Sequence, residues 1–230
     1  MKKFVLVAIA MSLFGVTKVQ AQVTLAGGSM PFSEMEVEGG LSLWNQNVLD
    51  DLFVQTPQSD GPVVQGWLSV PIPESACALE FFGSHGVQSS HGAEIDLGAK
   101  CTAELGDKTT ANVVVSRYLL HGMRDMTELA FGLNHGNFDV AVTRYFWDRH
   151  PDATQVQAGY KIPATQQLSA RLSATYERGF GEPDILVGGV GAVYQVRDNF
   201  SLNGTLRVPL YSGPGDHRDA RFMFGAEYIF

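Results

Sequence analysis

Residues 220–230 alternate without a break: Ala220, Phe222, Phe224, Ala226, Tyr228 and Phe230 against Arg221, Met223, Gly225, Glu227 and Ile229. An apolar face that repeats every second residue marks a β-strand between two environments, because successive side chains leave a strand on opposite sides. The dyad recurs along the chain. Val156, Ala158, Tyr160 and Ile162 share one face, as do Leu168, Ala170, Leu172, Ala174 and Tyr176. So do Phe200, Leu202, Leu206 and Val208, and Ile95, Leu97, Ala99, Cys101 and Ala103. Near the start, Met35, Val37, Gly39, Leu41 and Leu43 alternate with Glu34, Glu36 and Glu38. Helical periodicity is almost missing, so the fold class is all-β. A sheet with one apolar side must cover that side with a second layer or turn it toward lipid.

Twelve such segments are expected, near 34–44, 62–71, 76–84, 93–105, 110–120, 127–134, 138–147, 154–162, 167–178, 185–196, 199–210 and 220–230. The alternatives are 10 or 8 strands, if the weaker segments are loops. The connections alternate in length. "PIPES", "GDK", "HGN", "PATQQ" and "RDN" are short, while "HGVQSSHG", "HGMRDM", "WDRHPD", "RGFGEPD", "YSGPGDHRD" and the run from Asn45 to Gly61 are mostly longer. Short turns at one end and long loops at the other belong to a closed antiparallel transmembrane barrel of the outer membrane. An even count leaves both termini on the short-turn, periplasmic side. A soluble sandwich would show the same alternation. Three features favour lipid: charge on the polar face, strands of ~9–11 residues that can cross a bilayer obliquely, and Tyr160, Tyr176, Tyr194 and Tyr228 on the apolar face near strand ends, where an interfacial girdle sits.

The N-terminus agrees. Lys2 and Lys3 precede a 13-residue apolar run from Phe4 to Val16, broken only by Ser12, and Val19-Gln20-Ala21 is a small-x-small cleavage site. Residues 1–21 therefore read as a signal peptide, 22–33 as an N-terminal periplasmic segment and 34–230 as the barrel. The mature chain is expected to start at about Gln22, and the absence of a cysteine after Ala21 speaks against a lipid anchor. No apolar stretch beyond the signal approaches the ~18 residues of a spanning helix. With 24 acidic against 16 basic residues, a net charge of −8 and no basic stripe, nucleic acid is not a partner.

Residue chemistry does not suggest an enzyme. A barrel lipase needs a serine and a histidine paired on the outer face near the lipid boundary. His85, His91, His121, His150 and His217 fall in the longer loops and His135 in a short turn, with no serine of an apolar face beside them. Histidines gathered on one rim could also bind zinc, but loops of undefined conformation give no ligand geometry, and no metal or other cofactor is assigned.

The inner face is the better functional surface. Glu94, Asp96, Glu104, Asp139, Glu177 and Glu227 are expected to line the lumen together with Lys100, Lys161, Arg171 and Arg207. Glu34, Glu36, Glu38, Glu80 and Arg221 share that face. Twelve strands enclose more space than the roughly eight that side chains just fill. A narrow, charge-lined passive channel for small solutes, with some preference for cations, is the function expected. The alternative is a closed barrel whose charges pair across the lumen, serving a structural or loop-binding role in the envelope. Val113 to Leu119 shows no clear facing and leaves Arg117 unassigned. Val63 and Trp67 fall opposite Val64, Leu68 and Val70, and Gly39-Gly40 could host a bulge.

In "TPQSDGPVVQGWLSV" a long first loop ends in Ser59-Asp60-Gly61 and a Val64-Gln65-Gly66 strand follows. This resembles the small outer-membrane porins of the TorF-like family, whose segment order agrees over most of the mature chain. The chain has "LSLWNQ" where that family has a tyrosine–arginine pair before the loop. The resemblance implies an outer-membrane protein and a channel of undefined solute. The ending Gly225-x-x-Tyr228-x-Phe230 also resembles the terminal signal by which outer-membrane barrels are recognised, with Met223 departing from the polar residue at its start. The partners expected are thus outer-membrane lipid, the barrel-assembly machinery through this strand, and small solutes.

The two cysteines test the register. If residues 76–84 and 93–105 form a hairpin whose opposing numbers sum to 178, Phe81 faces Leu97, Leu79 faces Ala99 and Cys77 faces Cys101. All three pairs then share the apolar face, and export supplies oxidising conditions for a disulfide.

Deleting Phe230, or replacing it with Asp, is expected to cut outer-membrane assembly while leaving export intact. Surface level and heat-modifiability on gels measure this, and normal values for the deletion would remove Phe230 from the recognition signal.

Overall fold

Each barrel strand finds its neighbour in sequence beside it in space, and the last returns to the first. The computed structural model describes residues 22–25, 28–31, 37–45, 61–87, 94–120, 125–147, 152–179, 184–212 and 220–230. Gln22–Leu25 (β1) and Gly28–Pro31 (β2) pair antiparallel in a small unit that ends at Val37. From Glu38 onward the chain forms a second unit. Its strands are β3 (Glu38–Trp44), β4 (Val63–Pro71), β5 (Cys77–Gly86), β6 (Glu94–Gly106), β7 (Thr109–Leu120) and β8 (Met126–His135). The second half supplies β9 (Phe138–Trp147), β10 (Ala153–Pro163), β11 (Leu168–Arg178), β12 (Ile185–Arg197), β13 (Phe200–Ser212) and β14 (Arg221–Ile229). These twelve strands close into one antiparallel barrel, the count and topology expected from the alternation.

Two corrections concern local boundaries. His85 lies within β5 and His135 is the last residue of β8, so neither is a loop residue; period-two pairing continues through both. The bulge considered at Gly39-Gly40 is absent, because β3 pairs in continuous register with β14 and β4. Shifts occur instead at Glu104/Gly106, Leu186/Val187 and Gln195/Arg197. Residues 1–21, Glu34, Glu36, His91, His121, His150 and His217 lie outside the described residues.

One end carries tight turns. Asp107-Lys108, Gly136-Asn137 and Asp198-Asn199 are two-residue hairpin connections, and Gly136 takes the positive φ (59°) that such turns demand. The opposite end holds the longer connections. Closure joins β14 to β3 in the register Gly225↔Trp44 to Ile229↔Gly40. At the turn end the Phe230 N–H donates to the Gly39 carbonyl (2.9 Å) and the Gly39 N–H to the Phe230 carbonyl (3.2 Å). At the loop end the Phe224 N–H donates to Asn45 Oδ1 (2.8 Å). The Phe230 ring lies over Gly39, where a Cβ would come within 2.7 Å of its Cε2.

Alternation sorts the side chains. Leu97, Val115, Phe131, Val142, Leu172, Val190, Leu206 and Phe222 are exposed on the outer side, Phe131 to 56%. Such a belt is stable only in an apolar medium, since water would charge ~25 cal/mol for each Å². Phe138, Tyr160, Tyr194, Tyr228 and Phe230 ring the outer surface near the turn end. The inner face is polar, and it also accepts the tryptophans that blurred the facing of the first two barrel strands. Trp44 packs against Gly225 and Trp67 against Gly40; a Cβ at either glycine would fall 2.5–2.6 Å from an indole atom. Val63 accordingly points inward and is buried.

The hairpin β5–β6 has the expected register, with Cys77, Leu79 and Phe81 opposite Cys101, Ala99 and Leu97. Cys77 and Cys101 form a disulfide with Cα atoms 4.0 Å apart and a sequence separation of 24. A loop of this size is worth ~3 kcal/mol in the chain-entropy account, less where a membrane already restrains the unfolded chain.

Leu172→Arg places a charge on the outer belt and is expected to cost ~2–4 kcal/mol near a bilayer midplane, whereas Ser173→Arg points inward and should cost less. Folding into lipid vesicles, read by gel shift, compares the two. Equal damage would contradict this facing.

Candidate functional site

The inner face divides into two halves with different chemistry. Toward the turn end, Lys100, Glu104, Lys161 and Arg171 are exposed to solvent. Toward the loop end the side chains crowd together: Glu94 is 4% and Glu177 2% exposed, and Thr143, Gln155, Thr175 and Asp96 are also buried. The apolar group Met126, Tyr145 and Ala153, with Tyr118 and Trp147 packed against it, fills the same half. Ile185 and Val187 add a second small cluster on β12.

Register explains why these residues meet. A continuous inner row runs Lys100, Val114, Ala130, Thr143, Gln155, Glu177 and Ile185 across seven strands. Gln155 Nε2 donates to Glu177 Oε1 at 3.1 Å. The adjacent row carries Ser116, Glu128 and Tyr145, and the Tyr118 hydroxyl donates to Glu128. Ser69 Oγ donates to Glu80 Oε1 (3.0 Å) on the wall between β4 and β5. Among the described residues, no lysine or arginine belongs to the buried polar set, whereas three carboxylates do.

The remaining expected lining residues take other positions. Asp139 and Arg171 form an ion pair at 2.7 Å, although they stand on β9 and β11 with β10 between them. Gly159 of β10 makes this reach possible: a Cβ there would come within 2.2 Å of Arg171 Nη2. Arg207 and Arg221 stand opposite each other on β13 and β14, and Glu227 lies opposite Ser201 and Ser42. Gly225, Tyr228 and Phe230 contribute to closure as described, with Tyr228 opposite Leu41.

Two residues of this interior escape a reading by alternation. Tyr118 and Ser116 sit in "NVVVSRYLL", which is apolar on both faces, so period two gives no side to choose. The register resolves it: Val113, Val115 and Leu119 are exposed on the outside, Ser116 and Tyr118 turn inward, and Arg117 is outward. Arg117 Nη1 donates to Thr127 Oγ1 (2.9 Å) at the loop end, so its charge does not meet the apolar belt. Glu128 and Gln155, by contrast, follow the alternation, since each shares its strand with an apolar set on the other face, Leu129/Phe131 and Val156/Ala158.

The bridging geometry at Gly159 is testable by a double-mutant cycle. Removing Asp139 and Arg171 singly and together should reveal a coupling of about 0.5–1 kcal/mol, typical of a partly exposed pair. In a Gly159→Ala background the added methyl occupies the guanidinium's place, and the coupling should vanish. Denaturant unfolding in vesicles measures it.

No family model matches the sequence, and no curated protein matches it. Solved structures do. A chain from work on the in-meso crystallization of membrane proteins matches with TM-score 0.62 and 11% identity, over 84% of this chain and 83% of that one. The KdgM porin matches with TM-score 0.59 and 12% identity, over 84% of this chain and 99% of the porin. The NanC porin matches with TM-score 0.53 and 6% identity, over 85% and 98% respectively. At such identities the likeness is one of fold, and the fold is that of outer-membrane porins.

Proposed function

We propose that this chain is an exported bacterial outer-membrane channel, passive and narrow, that passes small solutes with a preference for cations. The supporting observation is the pairing of a closed barrel and apolar exterior with an interior whose buried charges, among the described residues, are carboxylates. A barrel of this kind has no open edge in lipid, and among the described residues its inner wall carries the buried carboxylates. Buried carboxylates in low-dielectric walls focus a negative potential along the axis, raising the local concentration of cations and opposing anions. The turn half, with Lys100, Lys161 and the Arg171–Asp139 pair, is wetter, and selection belongs to the buried carboxylates of the loop half, whose wall also carries Arg207 and Arg221.

On this reading residues 1–21 direct export, the mature chain begins at about Gln22, and Gly225, Tyr228 and Phe230 engage the assembly machinery. The TorF-like resemblance fits the same assignment. A structural neighbour, the KdgM porin, is described in complex with oligogalacturonate. That solute is a polyanion, and the acid-walled half here is suited to the opposite charge.

A second reading has its own support: Met126, Tyr145 and Ala153 pack tightly enough inside the loop half for a closed barrel with a structural role. Conductance separates the two. Purified protein in planar bilayers is expected to give stepwise conductance, and a KCl gradient should yield a reversal potential of the sign for K⁺ preference. Glu94→Gln with Glu177→Gln should shift that potential toward zero. A correctly folded but silent barrel would establish the structural reading instead.

A further inference from the structure

Three buried side-chain atoms of the inner wall have no hydrogen-bond partner: Gln65 Nε2, Ser84 Oγ and Asp96 Oδ1. Their residues are 6%, 5% and 9% exposed, so each is more than nine-tenths withdrawn from solvent. They are also neighbours. Gln65 stands opposite Ser84, and Ser84 opposite Glu94. One step along the same face, Trp67 stands opposite Phe82, Phe82 opposite Asp96, and Asp96 opposite Tyr118. The three atoms therefore belong to a single patch of β4, β5 and β6, bordered by an indole, a phenyl and a phenol ring.

Buried polar groups in native proteins are nearly always satisfied, so a cluster of three marks a place built for something else. The chemistry of the atoms limits what that is. The Asp96 side chain is hydrogen-bonded to Glu94, which leaves its Oδ1 to accept, the amide nitrogen of Gln65 donates, and Ser84 can do either. A complementary ligand must donate to the carboxylate and, a few bonds away, accept from the amide. The aromatic border adds a preference, since ring faces attract organic cations. A metal ion fits less well: among the described residues no three His, Cys, Asp or Glu side chains converge as ligands would.

We infer that the patch formed by Gln65, Ser84 and Asp96 is a binding site for a small organic cation that carries a guanidinium or ammonium group and an oxygen acceptor. The cation's N–H groups reach Asp96, its charged plane lies against Trp67, Phe82 or Tyr118, and its oxygen takes the Gln65 amide. The inference deepens the channel reading and rests on it for one thing only, a route by which the solute reaches the inner wall.

The probe is 4-guanidinobutanamide, with neutral 4-ureidobutanamide as its near-isostere. Titration into folded protein in detergent micelles is followed by calorimetry and by fluorescence, because Trp67 borders the patch. Saturable binding of the guanidino compound and none of the ureido compound is expected. Asp96→Asn, which breaks the carboxyl pair that Asp96 makes with Glu94 and puts an amide in its place, should weaken it by about tenfold or more, the usual cost of a hydrogen bond to a charged group. Equal binding of both compounds, or no saturable binding of either, would overturn the site; these arms use the unaltered chain and do not depend on the variant folding. An unchanged affinity in folded Asp96→Asn would overturn it too. Bilayer recordings keep the two readings apart: binding to a barrel that never conducts ends the channel and retains the site, while conductance without binding does the reverse.

Discussion

The junction between β14 and β3 carries the rest of the molecule. Every other strand pair is a local hairpin that the chain could form piecemeal, whereas this one joins residues at opposite ends of the barrel unit, Gly225 to Trp44 and Ile229 to Gly40. Without it, two rows of backbone N–H and C=O groups would face hydrocarbon with no partner, at several kcal/mol for each group. Small side chains at the seam answer that demand. Gly39 accepts the Phe230 ring on the outside, and Gly40 and Gly225 accept Trp67 and Trp44 on the inside, so bulky residues can seal the seam on both faces without forcing the backbones apart.

Closure also dictates what the interior can hold. The strands are sheared past one another, so one hydrogen-bonded row climbs from Ser69 near the turn end of β4 to Ala153 at the loop end of β10. Acids that are scattered in sequence, Asp96, Glu128 and Glu177, thereby come to line one half of the barrel, while Lys100, Lys161 and Arg171 stand on the wetter half. The two halves impose different costs. A carboxylate withdrawn from water must be compensated by neighbours, as Gln155 does for Glu177, whereas exposed Lys100 or Lys161 is compensated by solvent.

Alternation made the barrel legible before any coordinates, because lipid and lumen are so unlike that period two is sharply written in β10, β11, β13 and β14. The Cys77–Cys101 register followed from three matched pairs in one hairpin. Legibility failed where both environments accept the same residue type. Val113, Val114 and Val115 suit either side, so Arg117 and Tyr118 had no assigned face until the pairing with Thr127 and Met126 fixed them. Trp44 and Trp67 misled for a related reason: a large aromatic on a polar face looks anomalous until a glycine is found across the strand. The unsatisfied patch on β4–β6 was illegible in principle, since whether Ser84 or Gln65 has a partner depends on three-dimensional neighbours.

A barrel of identical-looking strands has a weakness that facing does not protect against. A one-residue error in pairing exposes charge to lipid and is rejected, but a two-residue error preserves every inside and outside assignment and passes unnoticed. Three hairpins, β6–β7, β8–β9 and β12–β13, rely on two-residue turns to forbid it. The β5–β6 hairpin is joined at the loop end by a longer connection, where geometry is permissive, and there the covalent link between Cys77 and Cys101 pins the far end of the pair. The disulfide thus acts as a proofreading mark: of all the even-numbered offsets the two strands could adopt, only one brings the sulfurs together.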